Sequence, residues 1–147
     1  MLQRFFAWVD GLRGRRWARV AVWATRVLLA AGFILGGLRK VDGSRFHNPE
    51  VLTLGTDIGF FFEALYRTGL YWRFLGWAQV VAGLLLLVPR TALLGAMMYL
   101  PIIANIWVIT LSMYFAGTPV ITSLMLLGCL GLLVWDHRRL RPLLHAR

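Results

Sequence analysis

Four stretches of about twenty residues with scarcely a charge between them decide what this chain can fold into. A helix needs about 20 mostly apolar residues to cross the roughly 30 Å hydrocarbon core of a bilayer. Val20 to Leu38 meets that length and is closed by Arg39 and Lys40. Leu70 to Val88 is closed by Pro89 and Arg90, a third stretch runs from Thr91 through Leu111, and a fourth from Thr118 to near Trp135. Inside lipid every backbone polar group must be satisfied within the segment, so these stretches read as helices. Thr118-Pro119 reads as a hydroxyl cap followed by proline at the first helical position. The Pro89-Arg90 connection is so short that the helices on either side must form an antiparallel hairpin. A cleaved signal peptide fits the first stretch poorly, because the apolar run is long and three more follow it. The expected fold is therefore all-α, an integral membrane four-helix bundle.

Composition agrees. The chain has 147 residues, enough for one domain, and 59% of them are hydrophobic, more than a water-soluble domain of that size can hide. Its formal charge of +10 would suit nucleic acid, but the arginines collect at the ends and between the apolar runs and form no continuous stripe. Nucleic acid is not an expected partner. With four spans, one side carries Arg4, Arg13, Arg15, Arg16, Arg19, Arg90, Arg138, Arg139, Arg141 and Arg147, and the other Arg39, Lys40, Arg45, Arg67 and Arg73. The excess places both termini in the cytoplasm. A single cysteine, Cys129, allows neither an internal disulfide nor a thiolate metal cluster, and its position within the fourth span makes it a buried, inert thiol.

The chain divides into a basic, aromatic segment (1–19), a four-span domain (20–136) and a basic tail (137–147). The first segment mixes Phe5, Phe6, Trp8, Val9, Leu12 and Trp17 with five arginines, which suits the headgroup region, although Gly11 and Gly14 weaken it as one helix. In the outer connection, Asn48-Pro49 and Thr56-Asp57 read as helix starts. From Asp57 an aromatic, amphipathic helix through Phe60, Phe61, Phe62, Leu65 and Tyr66 should end at Gly69 and join Tyr71, Trp72 and Trp77 in an outer aromatic belt.

No catalytic set is evident: there is no zinc helix motif, phosphate loop, dinucleotide fingerprint or serine–histidine–acid arrangement. His47, His137 and His145 lie outside the spans, and the last two read as solvated residues of the basic tail. Candidate binding residues are the polar groups inside the spans. Arg26 sits six residues into the first span, about 9 Å along the helix. A charge there is either paired and functional or snorkels to the headgroups. Arg26 and Lys40 are fourteen residues apart, about 21 Å, on nearly one face, with Ala30, Phe33 and Gly37 between them. The spans offer Arg26 no carboxylate at its depth, which leaves Gln79, Asn105, backbone carbonyls or a bound anionic or quinone-like oxygen. Gln79 and Asn105 read first as hydrogen-bonding glue between helices. Pro101 should kink the third span, freeing the Met97 carbonyl on the stripe that carries Asn105, so that the two either line an internal crevice or mark a packing kink. Gly32, Gly36 and Gly37 in the first span, Gly76 and Gly83 in the second, Ala92 and Ala96 in the third, and Gly128 and Gly131 in the fourth mark close helix contacts.

Several of these motifs resemble one family. The ending Gly36-Gly37-Leu38-Arg39-Lys40 resembles the glycine-then-lysine signature closing the first helix of DoxX-like membrane proteins. The run from Gly76-Trp77-Ala78-Gln79 through Gly83 to Val88-Pro89-Arg90 is similar to that family's second helix and turn, and Asn105 and Leu132-Leu133-Val134-Trp135-Asp136 are also similar. The resemblance covers most of residues 20–136. It implies a four-helix bundle of the bacterial inner membrane associated with membrane redox systems. Some such proteins resemble the small subunit of a thiosulfate–quinone oxidoreductase, others belong to oxidant-defence complexes, and eukaryotic relatives of the surfeit type act as cargo receptors. Many members carry a glutamate near the position of Gln79, and the amide here cannot exchange a proton as a carboxylate does.

Three functions follow as expectations. The first is a non-catalytic accessory subunit of a membrane redox complex, contacting a partner subunit and quinone. The second is an oligomeric pore or membrane-perturbing component, and the third a binding adaptor or small-molecule carrier.

Overall fold

The computed structural model describes residues 2–45, 57–113 and 117–144, so Asn48-Pro49, Thr56, His47, His145 and Arg147 lie outside the described residues. Among them the chain forms seven helices: α1 (Leu2–Arg13), α2 (Arg16–Val41), α3 (Asp57–Arg67), α4 (Leu70–Leu87), α5 (Ala92–Ser112), α6 (Thr118–Trp135) and α7 (His137–Leu144). Four of them, α2, α4, α5 and α6, are long and apolar enough to cross a membrane. Their outward faces are apolar as well: Leu28, Leu35, Phe74, Leu94, Leu124 and Leu127 are all more than half exposed. Such a surface needs lipid as its solvent.

The spans form a ring in which α2 packs on α4, α4 on α5 and α5 on α6, with α6 closing more lightly on α2. Across the centre Phe33 of α2 stacks on Tyr99 of α5, ring centroids 3.4 Å apart, and Leu86, Ile103, Cys129 and Leu132 fill the space around them. Helices in lipid associate through close packing and polar contacts, since burial from water contributes little between them. Glycine supplies the closest approach. A Cβ on Gly37 would fall 2.7 Å from the Gly76 carbonyl oxygen, and one on Gly83 would fall 2.8 Å from Ile34. Gly95 is equally tight against the α4 backbone at Leu86. The Gly32–Gly36 pattern is not this contact: a Cβ on Gly32 would meet only the end of Met125, one on Gly36 only Lys40 Nζ at 3.9 Å, and Gly131 is open. Hydroxyls reinforce the α5–α6 pair, with Thr110 and Thr122 bonded at 3.1 Å and the Trp107 indole donating to Ser123 at 2.8 Å.

Element ends differ from expectation in three places. Helix α2 begins at Arg16, a full turn before Val20, after an extended Arg15. Gly11 is accommodated within α1, and the break comes at Gly14. Thr118 is the first residue of α6 and makes no cap; Gly117 holds that position at φ 77°, and the Thr118 carbonyl accepts from Thr122. Helix α3 ends at Arg67, and Gly69, at φ 59°, turns the chain into α4 as its sequence position suggests.

Candidate functional site

The helical stripe expected along α2 exists: Arg26, Ala30, Phe33, Gly37 and Lys40 are all buried toward the other spans. Arg26 is 7% exposed. Its Nη2 reaches the Asp136 carboxylate at 3.1 Å, and its guanidinium lies over the Trp23 ring, 5.8 Å from the centroid. Asp136, one residue past α6, ends that helix with its N–H on the Leu132 carbonyl, while its own carbonyl accepts from Arg139 and Leu140 at the start of α7. The expectation that no carboxylate could serve Arg26 is therefore corrected. A long side chain within reach of the span end meets a carboxylate outside the span. Neither Gln79 nor Asn105 is its partner.

A crevice of about 320 Å³ opens over this pair, lined by Arg13, Arg19, Trp23, Arg26, Asp136 and Arg139 among others. It sets four arginines against one carboxylate. Two of the arginines are tied back: Arg13 donates to the Trp135 carbonyl, and Arg139 to the Pro89 carbonyl at 3.0 Å. Arg26 keeps its Nε without an acceptor among the described residues. Farther along the same two helices an apolar cleft of about 410 Å³ runs between Leu28, Leu29 and Gly32 of α2 and Leu124, Met125 and Gly128 of α6.

Over the crevice end, α1 and α7 lock together. Asp10 receives the Arg138 guanidinium at 2.9 Å, with His137 Nε2 and Arg13 Nε each 3.7 Å away. The Arg138 hydrogen bond, with the charges of Arg138, His137 and Arg13, holds the Asp10 carboxyl below the usual carboxylate range. His137 is only 4% exposed and stacks on Phe6 at 4.5 Å, which corrects its reading as a solvated tail residue. Burial comes from α1 folding back over the start of α7, a contact invisible to local sequence.

At the opposite end, Lys40 is 5% exposed, donates to the Gly36 carbonyl at 3.1 Å and lies over Trp72, 5.3 Å from the ring centroid. Trp72 donates to the Ser44 carbonyl and meets Tyr66 edge-on, so the aromatic belt expected there is partly an inward-facing cluster. Gln79 is buried on α4 between the levels of Gly76 and Gly83, and its Oε1 finds no donor among the described residues, so its carbonyl does not serve as hydrogen-bonding glue. Asn105 is the larger correction. It and Pro101 both lie on the exposed face of α5, and no side-chain hydrogen bond holds Asn105 among the described residues. The internal crevice expected there does not form; Tyr99, Ile103 and Thr110 occupy the inward face. Cys129 is buried as expected, its Sγ 3.3 Å from the Ala96 carbonyl.

Fold and surface together define a multi-pass membrane protein with four spanning helices and a basic cap over one end. The chain is 34% identical over 133 residues to the uncharacterized protein YwoB of Bacillus subtilis (strain 168), a match covering 88% of this chain and 86% of that protein. It belongs to the same family. No family model matches the chain, and no solved structure matches it significantly.

Proposed function

We propose that the protein is an accessory, non-catalytic subunit of a membrane redox system, DoxX-like in kind and set in a bacterial inner membrane with both termini in the cytoplasm. The observation that carries this reading is the docked cap. Asp10, His137 and Arg138 join the first and last helices across the bundle end, and Arg4, Arg15, Arg16, Arg19 and Arg138 are exposed on α1, the start of α2 and α7. A fixed basic platform suits an acidic partner subunit, because its groups are already ordered before docking. The motifs around Gly37, Gly76 to Arg90 and Asp136 support the redox association by resemblance.

Purification from native membranes tests the reading: a co-purifying dehydrogenase subunit or bound quinone is expected, and a homo-oligomer with neither would sink it. A small-molecule carrier is the second reading, favoured by the arginine-lined crevice between α2 and α6. The pore reading gains no support from the side chains, since the bundle centre is filled by Phe33, Leu86, Tyr99 and Ile103 and the outward faces are apolar.

A further inference from the structure

We propose that the seam between α2 and α6 binds one anionic phospholipid, its phosphate in the arginine-lined crevice and an acyl chain in the apolar cleft beside it. Such a site does not depend on the redox reading. It rests on two openings of opposite chemistry along one pair of helices. Arg19, Val22, Trp23 and Arg26 line the first from α2, and Thr25, Leu28, Leu29 and Gly32 line the second. At 3.6 residues per turn the two sets lie about a third of a turn apart on α2 and adjoin along Val22 and Leu29, where the crevice borders the cleft. On α6 the cleft residues Ile121, Leu124, Met125 and Gly128 lead at the same spacing through Leu132 to Trp135 and Asp136. A ligand that fills both openings therefore has an anionic head and an apolar tail.

The head end is built for an anion. Four arginines face one carboxylate; Asp136 takes Nη2 of Arg26 and Arg13 is shared with Asp10, which leaves Arg19 and Arg139 without a carboxylate partner among the described residues. Arg26 is more than nine-tenths buried, lines this crevice, and has no acceptor for its Nε among the described residues. A phosphate oxygen is the acceptor whose charge and geometry suit a guanidinium. Trp23 and Trp135 flank the crevice, as indole rings do at headgroup level. The tail end has the glycines to receive a chain. Gly32 and Gly128 remove two Cβ atoms from the cleft walls, at the most lightly packed of the four helix pairs. Basic pockets between spans at this level take lipid headgroups, and charge complementarity selects the anionic ones.

Native mass spectrometry of the full chain, with phosphatidylglycerol or phosphatidylethanolamine added in detergent, tests the site. One phosphatidylglycerol should be retained in preference to phosphatidylethanolamine. Arg19→Gln should weaken retention about five-fold, the order expected for one arginine near a charged surface, and Arg19→Lys should restore most of it. Gly128→Leu, which fills the cleft and leaves the arginines in place, should weaken lipid retention and spare binding of inorganic phosphate. Gel filtration shows which variants stay folded, and Arg19→Gln, at an exposed position, keeps the test available if Gly128→Leu does not. Equal retention of the two lipids would mean an unselective lipid shell and overturn the proposal. Inorganic phosphate displacing the lipid fully, with Gly128→Leu without effect, would mean a soluble-anion site and overturn it too. Disulfide-linked dimers forming through Leu124→Cys would make the cleft a contact between copies, and the lipid site would again be overturned.

Discussion

Gly37 and Gly76 meet backbone to backbone, each so close that a Cβ on it would fall within 2.8 Å of the other's carbonyl oxygen. No side chain there can yield, so the first and second spans are held by shape. Gly37→Ala should lower stability by about 1–3 kcal/mol, the usual cost of overpacking. Gly32→Ala meets only the flexible end of Met125 and should cost far less. Thermal unfolding in detergent, comparing both variants, checks the order; equal effects would mean that the contact can spread apart.

The Arg26–Asp136 pair is buried at Arg26 and largely buried at Asp136, with side-chain exposures of 8% and 13%. Removing one member of such a pair strands the other charge, at a cost of about 3–5 kcal/mol. Arg26→Leu and Asp136→Leu should each destabilise strongly, and the double replacement should recover much of the loss. A double-mutant cycle from unfolding midpoints measures this. Simple additivity of the two effects would show that the charges do not interact.

Asp10 sets a pH limit on the cap. Its carboxyl titrates below the ordinary value near 3.9, so its stabilising contribution is fully present above that value and is lost as pH falls through the lower folded one. Docking of α1, followed by a spin label at Trp8→Cys, should be constant from about pH 7 to pH 5 and release only below about pH 4. Release near pH 6 would assign the control to another group.

Asn105 faces outward on α5 with no side-chain partner among the described residues, so Asn105→Leu should shift stability by less than about 0.5 kcal/mol. Unfolding in detergent measures it, and a large loss of stability or of assembly would put a protein partner on that face.

Reporter fusions at Arg147 and within the 46–56 connection should report cytoplasmic and external locations respectively. Both reporters on one side would break the four-span topology.

The spans were legible in the sequence because their length is set by the bilayer, and the buried stripe from Arg26 to Lys40 because charge and glycine repeat with the helical period. Helix α5 carries no such asymmetry. Its inward Tyr99 and Ile103 and its outward Met97 and Val108 are similarly apolar, since lipid and core have the same chemistry. Periodicity therefore gave Asn105 no face. Asp136 was missed as a partner for a different reason: it lies outside the span, and only the closing of the ring by α6 brings it to Arg26. One signal pointed to it, namely a lone carboxylate at a span end otherwise followed by arginines.

The sequence separation of 110 between Arg26 and Asp136 also fixes an order of assembly. At synthesis rates of about 5–20 residues per second, Arg26 waits on the order of ten seconds for its carboxylate to be made. Until then Arg26, in the first span, is without its carboxylate near the headgroup level, at a cost below the roughly 2.5–3.5 kcal/mol of a charge at the bilayer centre. The glycine contact with the second span can hold it in place meanwhile. The ion pair thus forms only once the fourth helix has entered. A chain stalled before that point would keep Arg26 without its carboxylate partner.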